Sequence, residues 1–325
     1  MSIPARVHFC WIGSRRLPWA YVFAILSAAE RSELPELLLH HTDTLEDGPE
    51  LAALRRAPRV QLVHVAPQMT LAKAGAALGI GDGLVTIYRK LASPVMRADV
   101  LRAAILYLEG GIYLDLDTIT TKSLRPLLDT PQFIGTEIIV WPQAVRLSRS
   151  PLILARHVTL DLLRKAIRNL PDGWKIFRHV ESLYPVAVNN AVMGTQAGTS
   201  LFADYLRAML QVPLEAQPQA YALGPHLLQG VVEQYQGPDL TVHAPQVFYP
   251  LPPEISAQWF RTGGAARLDA VLSAETRVVH WYASVRTKSH VARIDPAYVR
   301  AHRAHQLYSA LVCACINDLP DPEER

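Results

Sequence analysis

Arg97–Thr118, RADVLRAAILYLEGGIYLDLDT, sets the architecture of the chain on either side of it. Leu101, Ala104, Ile105 and Leu108 recur at i, i+3, i+4 and i+7, the apolar stripe of a helix. Asp99 and Arg102 lie three apart on the other side, close enough to face one site. Gly110-Gly111 ends the helix, because glycine accepts the left-handed cap conformation. A strand is predicted next, with side chains alternating between faces. Ile112, Leu114 and Leu116 then point one way, and Tyr113, Asp115 and Asp117 the other. Two carboxylates roughly 6–7 Å apart on one strand face repel each other unless a cation or donor groups join them. That arrangement suits a hard divalent metal carrying a phosphate. The plainer alternative is a solvated strand face beside an ordinary helical ion pair. The helix, the double glycine and the tyrosine together favour a site.

Strand and helix signals alternate through the first 140 residues, which favours a mostly parallel sheet flanked by helices. Strands are predicted at 7–12, 35–40, 60–65 and 132–140, with helices at 18–31 and 49–56. The Ala/Gly-rich stretch 71–84 reads as one helix running into a loop, and the motif helix begins near Pro94. From Pro151 to Tyr184 the pattern turns helical and basic, with Arg156, Arg164, Lys165, Arg168, Lys175 and Arg178. A solvated face is the default reading of those charges; contact with a substrate or a membrane surface is the alternative. Residues 186–193 return to strand or turn, 200–210 and 225–235 to helix, and 240–244 and 278–281 to short strands. One C-terminal helix is predicted over 296–316. No internal repeat or low-complexity linker is visible, so a single elaborated domain over 1–325 is expected. It would comprise a core at 1–140 that ends in the D-x-D strand, a helical part at 150–240 and a closing segment at 240–325.

Half of the 325 residues are hydrophobic and 19% are charged, the balance of a globular chain with a substantial core. The formal net charge of +3 is too small to imply nucleic acid as a partner, although a local positive field could still attract an anionic nucleotide. Three cysteines without framework spacing (Cys10, Cys313 and Cys315) argue against a disulfide-built secreted fold and suit a reducing compartment. Met1–Pro4 leads directly into a strand pattern, so no signal peptide is expected. No run of about 18 apolar residues predicts a membrane span. A cytoplasmic location follows, with peripheral association at the inner membrane face left open.

The spacing from Asp99 through Arg102 and Tyr113 to Asp115 and Asp117 resembles, without a gap, the donor-sugar and D-x-D region of GT-A glycosyltransferases. The likeness is to the group with D-x-x-R, a helix and G-G-x-Y-x-D-x-D, which includes family 32 capsule and cell-wall sugar transferases and the catalytic domains of clostridial glucosylating toxins. The opening IPARVHFCWIG is similar to that family's I-P-x-x-I-H-x-x-W-x-G. An indole at a strand's carboxyl end can cover a planar base, so the resemblance makes Trp11 the nucleobase platform; a core tryptophan is the alternative.

Asn189-Asn190 resembles the family's asparagine loop beside the donor sugar, with Asn190 preferred. GPHLLQGVV (224–232) resembles a segment in which a Gly-Pro turn opens a helix near the acceptor, where His226 either touches substrate or caps the helix. PQVFYPLP resembles the family's structural F-Y-P element. In VVHWYASVRTKS, His280 is a candidate late metal ligand and Ser284 fits the serine of an S-W element. Val285 stands where tryptophan is usual, so Arg286 or Lys288 would supply the contact to the leaving diphosphate.

The resemblance implies a retaining transfer from a nucleoside diphosphate sugar, with UDP preferred, to a saccharide or lipid-linked acceptor in bacterial surface polysaccharide synthesis. Mn²⁺ or Mg²⁺ would be held by Asp117 with Asp115 and His280, and Asp99 and Arg102 would orient the sugar. Tyr113 would pack near the sugar or the diphosphate. The alternatives are a toxin-like transferase acting on a protein and a non-catalytic sugar-nucleotide binder. A haloacid-dehalogenase-type phosphohydrolase would leave Asp99 and Arg102 unexplained. An EF-hand loop fails because Thr120 stands where glycine is needed.

Overall fold

The computed structural model describes residues 2–320 apart from Pro218, Ala220, Pro238 and Arg286. Its strands are β1 (Arg6–Trp11), β2 (Glu36–His41), β3 (Val60–His64), β4 (Gly111–Leu114), β5 (Thr118–Thr120), β6 (Gln132–Ile138), β7 (Val186–Thr195), β8 (Leu240–His243) and β9 (Val278–His280). Among the described residues seven of them form one sheet in the order β3-β2-β1-β4-β7-β6-β8, and β5 pairs with β9 in a second, two-stranded sheet. Only β7 runs against its neighbours in the large sheet. The expected fold class, a mostly parallel Rossmann-like sheet flanked by helices, is the one found.

Alternation along the strands splits the core into two layers. Val7, Phe9, Leu37, Leu39, Ile112 and Leu114 face the helix Trp19–Arg31 and the C-terminal segment. Cys10, Tyr113, Ile134 and Met193 face the opposite layer, which includes the helices Pro94–Glu109 and Ser200–Gln211. Because that layer closes over the motif helix, Ala98–Leu106 is buried all round and not along one stripe.

Several sequence expectations are corrected. The stretch 71–84 is not one helix: Pro67–Leu78 ends at Gly79, left-handed at φ 68°, and Gly83–Lys90 begins a second. The C-terminal helix is likewise two, Pro296–His302 followed by Leu307–Cys315. Gln306 interrupts it: its backbone bridges Thr262, and its buried amide donates to the Phe260 carbonyl and the Tyr298 hydroxyl. A tertiary contact overrides local helical pattern there.

The carboxylates also depart from the predicted strand. β4 stops at Leu114, so Asp115 and Asp117 do not share a strand face; they sit in a turn between two sheets. The Asp115 amide makes a last bond to the Ala191 carbonyl of β7 at 2.8 Å, and the Thr118 hydroxyl closes the turn on the Asp115 carbonyl at 2.7 Å. β5 then leaves the main sheet, and its register with β9 sets Thr118 opposite His280.

Candidate active site

Asp99 and Arg102, from the motif helix, are 5% and 3% exposed, which rules out a solvated ion pair. Their burial is tolerable because the guanidinium is satisfied on several sides. Nη2 lies 3.3 Å from Asp99 Oδ1, and Nη1 lies 2.8 Å from Asp115 Oδ1 and 3.0 Å from the Asn190 carbonyl oxygen. The same guanidinium stacks over the Tyr113 ring, 4.6 Å from its centroid. Tyr113 donates its hydroxyl to Asp115 Oδ1 at 2.8 Å. Tyr113 and Arg102 therefore fix one oxygen of Asp115.

Asn190 reaches this cluster by a β-bulge and not by the loop expected for it. In the β6–β7 pairing the partner of Ile134 is Met193, whereas that of Gly135 is Asn189, so residues 190–192 bulge from the ladder. The bulge aims the Asn190 amide at Asp99 Oδ1, 2.8 Å away. Asn189 is spent on holding the bulge, accepting from the Ala191 amide at 2.7 Å and the Tyr249 hydroxyl at 3.2 Å. Gly224 closes the other side: a Cβ there would stand 2.8 Å from Asp99 Oδ2 and 3.1 Å from Asn190 Nδ2.

Asp117 and His280 form the second half. His280 Nε2 lies 2.9 Å from Asp117 Oδ1, and the Ala283 amide donates to Oδ2 at 2.7 Å. Asp115, Asp117 and His280 each offer a ligand atom, all within 4.8 Å of one another. Two hard carboxylates and an imidazole fit a divalent cation.

The electrostatics agree with that donor set. Burial pushes the carboxyls of Asp99 and Asp115 up despite Arg102, and the neighbouring Asp117 adds to the rise at Asp115. Burial also opposes ionisation at Asp117, but His280 and the Ala283 amide outweigh it and hold that carboxyl below its usual range. Burial would lower His280; Asp117 overcomes it, so the imidazole holds its proton above its ordinary value. Three carboxylates thus share one guanidinium and one titrating imidazole, and a cation can replace the proton shared by His280 and Asp117.

Trp11 ends β1 at its carboxyl edge, half-buried, with its ring 5.4 Å from that of Tyr21 and its indole N–H buried without a partner among the described residues. Ser284 lies exposed in the turn after β9, and Lys288 opens the short helix Lys288–Val291, also exposed. Among the described residues no hydrogen bond or ion pair ties either to the cluster. Arg286 lies outside the described residues. His226 packs beside Tyr221, ring centroids 5.7 Å apart, two residues past Gly224.

Sequence reasoning passed over Tyr21, Glu137 and Tyr282. Tyr21 stands between Trp11 and Trp281, near enough to Asp117 and Asp115 that both add to the upward shift burial imposes on its phenol. Glu137 is buried and accepts the Tyr282 hydroxyl at 2.7 Å, while Tyr282, left-handed at φ 60°, packs on His280 with centroids 4.1 Å apart. An acid inside the apolar run QFIGTEI was a usable signal for Glu137. Nothing local marked the tyrosines.

Residues 61–134 match the family model described as glycosyltransferase sugar-binding region containing DXD motif. No curated protein sequence matches the chain. Solved structures similar to it include the PaToxG glycosyltransferase, at 15% identity over 72% of this chain and 69% of that one, with a TM-score of 0.45. Mouse xyloside xylosyltransferase 1 in its apo form is 14% identical over 85% of this chain and 96% of that one, with a TM-score of 0.44. The UDP-bound glycosyltransferase domain of the YGT toxin is 8% identical over 74% and 80%, with a TM-score of 0.43. The sheet order, and not these distant likenesses, carries the fold. The buried Asp99–Arg102 helix, the double glycine and the D-x-D turn all lie within the segment that matches this sugar-binding region.

Proposed function

We propose that the protein moves a sugar, with retention of anomeric configuration, from a nucleoside diphosphate sugar, UDP-linked by preference, to a saccharide or lipid-linked acceptor of bacterial surface polysaccharide. The convergence of Asp115, Asp117 and His280 beside the Asp99–Arg102–Asn190 cluster carries this reading. Asp99, Arg102 and Asn190 hold the hydroxyls of the donor sugar and orient its anomeric carbon. Trp11 covers the base, Tyr113 fixes Asp115, and Ser284 with Arg286 or Lys288 meets the diphosphate. A Mn²⁺ or Mg²⁺ held by Asp117 with Asp115 and His280 would neutralise charge on the leaving diphosphate.

Retention is supported by the state of the carboxylates. Asp99, Asp115, Asp117 and Glu137 are each engaged by a donor of the protein itself, so this reading gives the base role to the diphosphate and not to one of them. The acceptor oxygen then bonds to the anomeric carbon on the face the diphosphate leaves, and its proton passes to a diphosphate oxygen. The proposed place of work is the cytoplasmic face of the membrane. Among the described residues no helix is long and apolar enough to cross one.

The test is acceptor-free hydrolysis of UDP- and GDP-sugars with Mn²⁺, following nucleotide release and the anomer formed by proton NMR. Turnover that disappears in Asp117→Ala and first yields the donor's own anomer supports the proposal. Binding without turnover under any metal would make the protein a binder, and phosphate release from simple phosphomonoesters would make it a phosphohydrolase.

A further inference from the structure

The helix Pro151–Asn169 turns an apolar side away from the protein. His157, Leu160, Arg164 and Ile167 are its buried side. Opposite them stand Leu152, Ala155, Leu162 and Ala166, with Val158 and Leu163 at the borders. Leu152 is 82% exposed and Leu162 61%, and Leu147 just before the helix is 76% exposed. A stripe continuing to Leu170, 43% exposed, spans about 27 Å at the helical rise. Exposed leucines and alanines, interrupted by the single hydroxyl of Thr159, make this outward side an interaction face.

Charge identifies what that face meets. Residues 143–170 hold six Arg and Lys against a single acid, Asp161, whereas the whole chain has an excess of only three. Asp161 is neutralised by ion pairs with Arg164 and Lys165. Arg156 and Lys165 border the stripe on its two sides, and Arg146 and Arg149 lie exposed at its start. Long basic side chains beside outward leucines suit the headgroup layer of an anionic bilayer, where the stems lie along apolar surface and the charges meet phosphate.

The face is also next to the donor pocket. Arg146 lies close enough to His226 to add to the disfavouring of its protonated form by burial, and His226 follows Gly224, which abuts Asp99 and Asn190. We infer that the helix Pro151–Asn169 docks the protein on an anionic phospholipid surface through Leu152, Leu162 and their basic borders. On the transferase reading proposed above, a membrane-held acceptor would then lie beside the mouth of the sugar pocket; docking itself does not depend on that reading.

The experiment is co-sedimentation of the whole protein with vesicles of phosphatidylcholine containing phosphatidylglycerol, and with phosphatidylcholine alone. Preferential, salt-sensitive partition to the anionic vesicles is expected. It should weaken at least about ten-fold in Leu152→Glu/Leu162→Glu, and in Arg149→Ala/Lys165→Ala to a smaller extent. Acceptor-free donor hydrolysis should be unchanged in both, so failure of docking and failure of the transferase reading are read separately. Absence of partition, or partition unaltered in the leucine double variant, overturns the inference. So does a dimer in light scattering that the leucine variant converts to monomer without any vesicle binding, since a second copy would then cover the face.

Discussion

His280 Nε2 stands 2.9 Å from Asp117 Oδ1 because β5 pairs with β9 outside the main sheet, with Thr118 opposite His280. The pair shares a proton in the free protein, and on the proposed function a cation would take that proton's place. Asp117 keeps its geometry in either state through the Ala283 amide.

Cation binding should therefore release a proton. Burial at His280 is outweighed by Asp117, so the imidazole keeps its proton to a higher pH than an ordinary histidine. Affinity for Mn²⁺ should rise with pH until that raised value is passed, and fall about ten-fold per unit below it. Calorimetry in buffers of different ionisation enthalpy measures the proton count. A count near zero in the wild-type protein would refute the shared-site account, and His280→Asn should flatten the pH dependence.

Arg102→Met should destabilise the protein by about 3–5 kcal/mol, because it leaves Asp99 and Asp115 buried without their cation. Arg102→Lys should recover only part of the loss, since an ammonium cannot stack on Tyr113 and reach both carboxylates and the Asn190 carbonyl. Urea unfolding of the three proteins at neutral pH decides it. A lysine variant as stable as wild type would show that the fork geometry is dispensable.

Gly224→Ala tests the sugar pocket without touching a charge. The backbone at Gly224, φ −98°, is not left-handed, so the new methyl acts through contact with Asp99 and Asn190. Donor kcat/KM should fall about ten-fold, since a misplacement on the scale of 1 Å is costly in a positioned site. The melting temperature should move little. Unchanged kinetics would place the sugar elsewhere.

Trp11→Ala should weaken donor binding about ten-fold by removal of a base platform, while the fold survives because Trp11 is only half-buried beside Tyr21. Quenching of tryptophan fluorescence by UDP, lost in the variant, is the direct readout. Global unfolding of Trp11→Ala would instead identify a core residue.

A different pair governs acid stability. His8 Nε2–H donates to the Gly110 carbonyl at 2.8 Å, which leaves Nδ1 to accept from His40 Nε2–H at 2.9 Å. Burial holds both rings neutral, with His40 adding to the effect at His8 and His41 adding to it at His40; His8 is lowered to about 3 and His40 to about 4. The unfolded chain binds these protons from about pH 6.5 downward and the folded chain does not, so stability falls with acidification. Each histidine should cost about 1.4 kcal/mol per pH unit between pH 6.5 and its folded value. His40→Gln keeps a donor for His8 and removes one titration, so the difference in unfolding free energy between pH 6.5 and pH 5 should shrink by about 2 kcal/mol. An unchanged difference would show that His40 takes up its proton in the fold.

Much of this molecule is legible in one dimension. Apolar alternation and periodicity place β1 to β4 and the motif helix, because side-chain direction repeats every two residues in a strand and every 3.6 in a helix. The double glycine announces its turn, with Gly110 at φ 64° and Gly111 at φ 113°. Asp99, Arg102, Tyr113, Asp115 and Asp117 read as one group because they lie on adjoining elements, where spacing alone sets proximity. The turn at Asp115–Asp117, the bulge that aims Asn190, the meeting of Asp117 with His280 and the tyrosines around them emerge only in three dimensions. Those features depend on which strands pair and in what register, across separations of 91 residues for Asp99 with Asn190 and 163 for Asp117 with His280. Local patterns carry no information at that range. The linear order of residues names the groups proposed to hold a sugar donor; the pairing of β5 with β9 brings a late histidine beside the carboxylate turn.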